Sequence, residues 1–226
     1  MKREIPIGTG AWIRRMAITR VVAVVTLDDV ELAEPVAAAL LEGGVDLMEL
    51  TLRTPVALDC LRRIRKTVPG MGVGAGTLLT PDQVQQAHEA GAEFGVAPGL
   101  NPKVVETARL TGLPFAPGVC TPSDIERAIE LGNTLLKFFP AATQGGTAHF
   151  RTVIAPYLHL GLQFIPLGGI TQATAASFLQ EPGVLALGGS WIAPRDRIER
   201  RDWSGIREAA RAVRQVATEL PDPSPR

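Results

Sequence analysis

The sequence predicts an α/β fold in a single domain, a closed (β/α)8 or TIM barrel. Short β-branched or apolar runs recur along the 226-residue chain, and an amphipathic, helix-like stretch follows each of them. The eight runs begin at Val21, Leu47, Gly72, Phe94, Pro114, Leu135, Gln163 and Val184. Their even pitch, and the absence of a GxGxxG sequence after the first run, favour a closed barrel over a doubly wound sheet with a dinucleotide site.

The helices between these runs are delimited by recognisable end signals. A residue that caps helices stands before proline at three predicted N-termini, and glycine stands at three predicted C-termini. The N-terminal pairs are Thr80-Pro81, Asn101-Pro102 and Thr121-Pro122. The C-terminal glycines are Gly91, Gly112 and Gly132.

Two terminal segments lie outside the repeated layout. Residues 11–20 predict a short helix that closes the lower opening of the barrel. The last residues, 221–226 with the sequence PDPSPR, predict a disordered tail. We expect residues 1–226 to form one domain, with the barrel core at about 18–219.

The composition excludes several classes of function. Lys and Arg together number 23, as do Asp and Glu, so the formal net charge of zero gives no support for a nucleic-acid or membrane-surface partner. Cys60, Cys120 and three scattered histidines form no zinc pattern, so we expect no metal and no other cofactor. Neither a signal peptide nor an apolar run of membrane-spanning length is present, which predicts a soluble, cytoplasmic protein.

The second run, LMELTLR, carries polar side chains at alternate positions. Glu49, Thr51 and Arg53 share one face of the strand, which we expect to line the barrel interior. The other face is apolar and should pack under the helices; it consists of Met48, Leu50 and Leu52. A carboxylate and a guanidinium inside a barrel also suit a structural ion pair, so this run alone does not identify a site.

The sixth run, LLKFFPA, places a lysine within apolar residues. If Lys137 faces inward, so do Leu135 and Phe139, and Lys137 then looks toward Glu49 across the barrel axis. Thr77 closes the third run near the C-terminal rim, where barrels hold their active sites. The alternative is an ion-paired or snorkelling core lysine without a catalytic role.

An inward lysine in this setting suits covalent chemistry on a ketone. An apolar neighbourhood favours the neutral amine, which forms a Schiff base with a carbonyl carbon. Glu49 is the nearest group to shuttle protons, and the Arg53 guanidinium matches the carboxylate of a 2-keto acid, with help from Thr77. Lys137 and its neighbours therefore predict a Schiff-base lyase.

Two glycine pairs follow the last two runs, the position where barrels commonly bind phosphate. They are Gly168-Gly169 and Gly188-Gly189, and Ser190 adds a hydroxyl donor after the second pair. Glycine lets backbone N–H groups approach an anion closely, although tight turns would use the same residues. With the lysine, these pairs predict a substrate that is a phosphorylated 2-keto acid.

Seven motifs carry a resemblance to a known family. They are GGVDLMELTLRT, VGAGTLLTPDQ, APGLNP, PGVCTPSD, LKFFPA, PLGGI and LGGSW, in order from about Val21 to Trp191. The chain resembles the 2-keto-3-deoxy-6-phosphogluconate (KDPG) aldolase family, also called KHG/KDPG aldolases. The resemblance implies a metal-free class I aldolase, usually a homotrimer, that reversibly cleaves KDPG to pyruvate and glyceraldehyde 3-phosphate.

The resemblance also implies roles for individual residues. Lys137 matches the Schiff-base lysine and Glu49 the general acid/base. Arg53 and Thr77 match the groups that bind the pyruvate carboxylate, and Pro98 lies in the turn lining that pocket. The phosphate-binding positions of the family are matched by Gly168, Gly169, Gly189 and Ser190. Phe139, Leu167 and Gly188 complete the expected substrate-binding set.

One position departs from the family pattern. Many members read PTGGI where this chain reads PLGGI, and the threonine is associated with contacts to substrate hydroxyls and with stereochemical choice at C4. Leu167 offers no hydroxyl, which predicts relaxed C4 stereochemistry, or use of 2-keto-3-deoxy-6-phosphogalactonate or 4-hydroxy-2-oxoglutarate.

Other functions stay open at this point. They are a non-catalytic barrel that binds a sugar phosphate, an isomerase without a Schiff base, and decarboxylation of a 2-keto acid as a side activity.

Overall fold

The computed structural model describes residues 11–220, and strands alternate with helices through this range. The strands are β1 Val21–Val25, β2 Leu47–Thr51, β3 Gly72–Gly76, β4 Gly95–Val96, β5 Phe115–Ala116, β6 Gly118–Val119, β7 Leu135–Phe138, β8 Gln163–Pro166 and β9 Leu187–Gly189. The helices are α1 Ala11–Thr19, α2 Ala33–Glu42, α3 Ala57–Thr67, α4 Pro81–Glu89, α5 Pro102–Thr111, α6 Pro122–Glu130, α7 Gly146–Ile154, α8 Gln172–Leu179, α9 Arg195–Glu199 and α10 Trp203–Glu219. Two 3₁₀ helices are Val30–Leu32 and Ala155–Leu160. The predicted tail at 221–226 lies outside the described residues.

The strands curl into a ring with parallel pairing. Six strands lie side by side in the order β5-β4-β3-β2-β1-β9, and three in the order β6-β7-β8. The chain itself links the two groups at Pro117, between β5 and β6. On the other side, Phe164 bridges to Val184 just before β9. This arrangement confirms the predicted barrel.

The fifth predicted strand is the one that the structure divides. β5 pairs with β4, whereas β6 pairs with β7, and Pro117 stands between them. Proline has no N–H to donate to a neighbouring strand, so it interrupts the ladder at this point. The eight predicted runs therefore yield nine strand segments within residues 11–220.

The helix ends follow the predicted signals. Thr80 and Thr121 accept hydrogen bonds from the backbone N–H groups of Gln83 and Asp124 in reciprocal capping boxes, and Asn101 caps α5. The predicted C-terminal glycines all have positive φ angles: Gly91 at 90°, Gly112 at 74° and Gly132 at 81°. Between residues 11 and 220, no helix is both long enough and apolar enough to cross a membrane.

Apolar side chains form two layers on either side of the strands. The outer layer lies between strands and helices and includes Met48 and Leu50 of β2 together with Leu136 and Phe138 of β7. The inner layer fills the lower barrel; it includes Leu47, Phe94, Leu135, Ile165 and Leu167. This division confirms the predicted facing of β2 and β7, so their remaining polar residues point into the interior.

Helix α1 closes the end of the barrel at which the strands begin. Trp12, Ile13 and Met16 are buried within the inner layer. The ring of Trp12 stacks on the ring of Phe94, with 5.0 Å between centroids. This confirms the predicted plug, and it leaves the C-terminal ends of the strands as the open mouth.

Candidate active site

Lys137 on β7 and Glu49 on β2 form an ion pair inside the barrel. The Nζ of Lys137 lies 2.9 Å from Oε1 and 3.1 Å from Oε2 of Glu49. Only 6% of the lysine side chain and 2% of the glutamate side chain are exposed. Since β2 and β7 are not neighbours in the ring, the two side chains meet across the interior, as the sequence predicts.

The surroundings of the amine are only partly the apolar ones that the sequence indicates. The Phe139 ring centroid lies 5.5 Å from Nζ, and Leu135 and Ile165 belong to the inner apolar layer. The carboxylate of Glu49 occupies the remaining side. The ammonium is therefore compensated by a buried partner, which is also placed to accept its proton.

Two glycines outside the predicted site allow close packing here, Gly76 against the Glu49 side chain and Gly118 against the backbone after β4. A Cβ on Gly76 would lie 2.6 Å from Cδ of Glu49. A Cβ on Gly118, which is in register with Lys137, would lie 2.6 Å from the backbone nitrogen of Gly99. Glycine at inward positions of a strand indicates such a close approach, and that signal was present in the sequence.

Arg53 and Thr77 meet at the mouth of the barrel. The Nε of Arg53 donates a hydrogen bond to Oγ1 of Thr77 at 3.3 Å. Arg53 is exposed and does not line the interior, contrary to the simple alternation, because β2 ends at Thr51 and the N–H of Arg53 turns back to the Thr51 carbonyl at 2.9 Å. The guanidinium therefore stands at the rim, above Glu49.

Thr77 has an unusual backbone conformation. Its φ is 62°, in the left-handed region that β-branched residues rarely adopt. Such strain persists only where surrounding contacts enforce it, and it is concentrated at functional sites. Here it directs the threonine hydroxyl to Arg53.

The first glycine pair forms an open loop after β8. Gly168 and Gly169 have φ angles of 94° and 75°. Within residues 11–220, their N–H groups and that of Ser190 donate to no backbone or side-chain acceptor of the protein. These three free donors, together with the exposed Ser190 hydroxyl, suit an anionic ligand group.

The second glycine pair serves mainly the packing of larger side chains. A Cβ on Gly188 would stand 2.5 Å from Cγ of Leu167, and one on Gly189 would enter the ring of Trp191. Leu167 itself is 4% exposed and belongs to the inner layer, so an apolar side chain occupies this part of the interior. Pro98 follows β4 and is half-buried, with its carbonyl packed against Gly118.

A cavity of about 440 Å³ opens at the mouth between β1, β2 and the loop after β9. Arg53 and Ser190 both line it, together with Thr26 and Thr54. Asp28 and Arg195 form an ion pair at its edge. The cavity thus joins the predicted carboxylate-binding residue to the predicted phosphate-binding residue. Among residues 11–220, no three His, Cys, Asp or Glu side chains are grouped to hold a metal ion.

A family model described as "KDPG and KHG aldolase" matches residues 13–209. The chain is 43% identical over 197 residues to the 2-dehydro-3-deoxy-phosphogluconate aldolase of Treponema pallidum, covering 87% of this chain and 93% of the relative. It is 39% identical over 191 residues to the KHG/KDPG aldolase of Escherichia coli K12, covering 84% and 89%.

Solved structures agree with this similarity. The KDPG aldolase of Legionella pneumophila, with pyruvate captured as a covalent carbinolamine intermediate, superposes with a TM-score of 0.84 at 35% identity, covering 88% of this chain and 95% of that one. The Zymomonas mobilis enzyme with 3-phosphoglycerate gives a TM-score of 0.83 at 36% identity, covering 89% and 94%.

Proposed function

The chain belongs to the KDPG and KHG aldolase family, and we propose that it cleaves KDPG reversibly to pyruvate and glyceraldehyde 3-phosphate through a Schiff base on Lys137. The observation that carries this proposal is the buried contact of 2.9 Å between the Lys137 amine and the Glu49 carboxylate. A structural ion pair alone does not require the free N–H donors that follow β8 and β9 or the cavity at the mouth of the barrel. The Legionella pneumophila relative, in which pyruvate is captured as a covalent carbinolamine, supports the same chemistry.

The first step joins the substrate to the enzyme. Glu49 accepts a proton from the Lys137 ammonium, and the neutral amine attacks the C2 ketone to form a carbinolamine. Glu49 returns the proton to the departing hydroxyl, which leaves as water. The product is a protonated imine at C2, and the Glu49 carboxylate is ionised again.

The second step breaks the carbon–carbon bond. Glu49 removes the proton from the C4 hydroxyl, the C3–C4 bond breaks, and its electron pair moves into the imine to give an enamine. The C4 oxygen becomes the carbonyl of the departing aldehyde. Protonation of C3 by Glu49 and hydrolysis of the imine then release pyruvate and the free amine.

We assign a separate set of binding groups to each end of the substrate. Arg53 and Thr77 at the rim are assigned to the substrate carboxylate, which a guanidinium binds through two parallel hydrogen bonds. The N–H groups of Gly168 and Gly169 and the hydroxyl of Ser190 are assigned to the phosphate. The remaining pocket wall is assigned to Pro98, Phe139, Leu167, Gly188 and Gly189.

Leu167 bears on which epimer the enzyme accepts. Its buried apolar side chain offers no hydrogen bond to a C4 hydroxyl, and an apolar contact discriminates weakly between epimers. We therefore propose that 2-keto-3-deoxy-6-phosphogalactonate and 4-hydroxy-2-oxoglutarate are also cleaved. Assembly as a homotrimer and a cytoplasmic location stay predictions.

Trapping with borohydride tests the mechanism directly. The protein is incubated with pyruvate and borohydride, and the modified peptide is mapped by mass spectrometry. We expect a reduced pyruvyl adduct on Lys137, while Lys66 and Lys103 on the barrel exterior serve as internal controls. Absence of the adduct, with pyruvate binding shown separately, would make Lys137 structural and favour a non-catalytic sugar-phosphate-binding barrel.

A further inference from the structure

Thr26 continues the inward face of β1 into the cavity. Val22 belongs to the inner layer, and Val24 is in register with Glu49 on β2. Thr26 directly follows β1, and its Oγ1 lies 2.7 Å from that of Thr51, which stands two residues nearer the mouth than Glu49 on the same face of β2. It is half-buried and lines the cavity between Arg53 and Ser190.

The hydrogen bonding of Thr26 leaves its proton available. The Oγ1 atoms of Thr26 and Thr51 lie 2.7 Å apart, and either can donate. Thr51 is fully buried, and its hydroxyl has no other partner among the described residues. If Thr26 donated, a buried hydroxyl proton of Thr51 would lack an acceptor, which is costly. Thr51 therefore donates, and the Thr26 hydroxyl can donate into the cavity.

The hydroxyl of Thr54, on the same wall of the cavity, cannot donate a hydrogen bond to a ligand without losing the one that it already makes. Thr54 also lines the cavity, but its Oγ1 donates to the carbonyl of Leu27 at 2.5 Å. Ser190, whose hydroxyl is assigned to phosphate, lines the cavity after β9, and β1 lies between β9 and β2 in the sheet. Thr26 is thus an uncommitted donor placed between the reaction centre and the phosphate end.

We propose that Thr26 binds the C5 hydroxyl of the substrate and so selects 2-keto-3-deoxy sugar acids over analogues that have no oxygen atom at C5. This inference rests on the proposed function. With C2 bonded to Lys137, Glu49 acts on the C4 hydroxyl, and the next hydroxyl toward the phosphate end is the one on C5. In the addition direction this group is the 2-hydroxyl of glyceraldehyde 3-phosphate, and 3-oxopropyl phosphate is the same aldehyde without it. Thr26 is therefore a specificity-determining residue, distinct from the groups that perform the cleavage.

The test compares Thr26→Val with Thr54→Val in the addition of pyruvate to each of these two aldehyde substrates. Valine preserves the shape of threonine and removes only the hydroxyl. For Thr26→Val we expect kcat/KM for glyceraldehyde 3-phosphate to fall about tenfold, the equivalent of one hydrogen bond to substrate, with less than a twofold change for 3-oxopropyl phosphate. Thr54→Val makes the same chemical change in the same cavity and should leave the ratio between the two substrates unchanged. Thr26→Ser should retain the wild-type ratio.

The outcomes separate this inference from the function on which it depends. A wild-type protein that forms no pyruvyl adduct on Lys137 would overturn the proposed function. If the adduct forms, equal losses of Thr26→Val on both substrates would assign Thr26 to the packing of the wall, and no loss on either would remove it from the site. Either result overturns the specificity role. Thermal unfolding of each variant establishes that the kinetics are measured on folded protein.

Discussion

Gly76 lies directly against the carboxyl group of Glu49, close enough that a Cβ at residue 76 would stand 2.6 Å from Cδ of the glutamate. The Cα register pairs Glu49 with Gly74, so the glutamate side chain leans toward the mouth to reach the position beside Gly76. From there its oxygens meet the Lys137 amine. The missing side chain of Gly76 therefore fixes where the proton-transferring group stands.

Gly76→Ala should reduce catalysis more than substrate binding. The added methyl displaces the Glu49 carboxyl group from Lys137, and a shift of about 1 Å in a catalytic group lowers rate by roughly a hundredfold. We expect kcat to fall ten- to a hundredfold, with a change of less than about threefold in the dissociation constant of pyruvate. Exchange of the pyruvate methyl protons with D₂O, followed by NMR, should slow by the same factor as kcat.

Gly74→Ala provides the matched control. The three atoms nearest to a Cβ at this position all belong to the ring of Phe94 and not to Glu49. The Gly74→Ala variant should lose about 1–3 kcal/mol of unfolding free energy through overpacking. The folded protein should still exchange the methyl protons of pyruvate at the wild-type rate. Similar losses of exchange in both variants would show that general distortion, and not the position of Glu49, limits the rate.

The Lys137–Glu49 pair should dominate the energetics of the interior. Lys137→Met leaves a carboxylate 2% exposed without its partner, which costs about 3 kcal/mol of unfolding free energy. Adding Glu49→Gln removes that charge, so the double variant should regain most of the loss. Urea unfolding of both single variants and the double variant measures the coupling. A double variant less stable than Lys137→Met would contradict buried charge as the cause.

The alternation of side chains made the pairing of Lys137 and Glu49 predictable from sequence. Both residues lie within extended runs, where facing depends only on position along the strand. The position of Arg53 could not be predicted in the same way. Side chains alternate between the two faces only within a strand, and β2 ends at Thr51. Strand length depends on pairing with a neighbour, which a single run does not encode.

The inward glycines indicate that a close approach exists, but the sequence does not tell which residues of neighbouring strands meet. The contact of Gly76 with Glu49 and the hydrogen bond of Thr26 with Thr51 join residues on different strands at specific heights. Their relative heights depend on the register of the ring. The split of the fifth run at Pro117, by contrast, has a local cause and could have been predicted from the missing N–H.

Removing the Thr77 side chain should weaken pyruvate binding without destabilising the fold. Its left-handed φ of 62° is costly for a β-branched residue, and glycine adopts it without strain. Thr77→Gly should therefore lose little or no unfolding free energy, and gain up to about 1 kcal/mol, yet bind pyruvate about tenfold more weakly because the hydroxyl is absent. Calorimetry of pyruvate binding and thermal unfolding measure the two effects. Thr77→Ser keeps the hydroxyl and should bind pyruvate normally; weak binding by the serine variant would exclude the hydroxyl as the cause.

The two cysteines should react at very different rates. Burial, with the nearby Asp59 carboxylate, raises the pKa of the Cys60 thiol to about 11, so this thiol is protonated at pH 8 as well as inaccessible. Cys120 is half-buried after β6, and burial raises its pKa too, but its sulfur lies nearer solvent. Titration with a thiol reagent at pH 8 should show one reactive group in the native protein and two in urea. Cys120→Ser should abolish the native reaction; a persistent one would place Cys60 within reach of solvent.

Replacing Leu167 by threonine should restore discrimination at C4. Leu167 is 4% exposed beside Gly188, so the smaller side chain leaves a cavity and costs about 1–3 kcal/mol of unfolding free energy. Its hydroxyl can bond one C4 epimer and not the other, which should shift the kcat/KM ratio of the gluconate and galactonate substrates about tenfold. Leu167→Val loses volume without gaining a hydroxyl and should leave that ratio unchanged. A wild-type enzyme that already prefers the gluconate epimer strongly would contradict the assignment of C4 selectivity to this position.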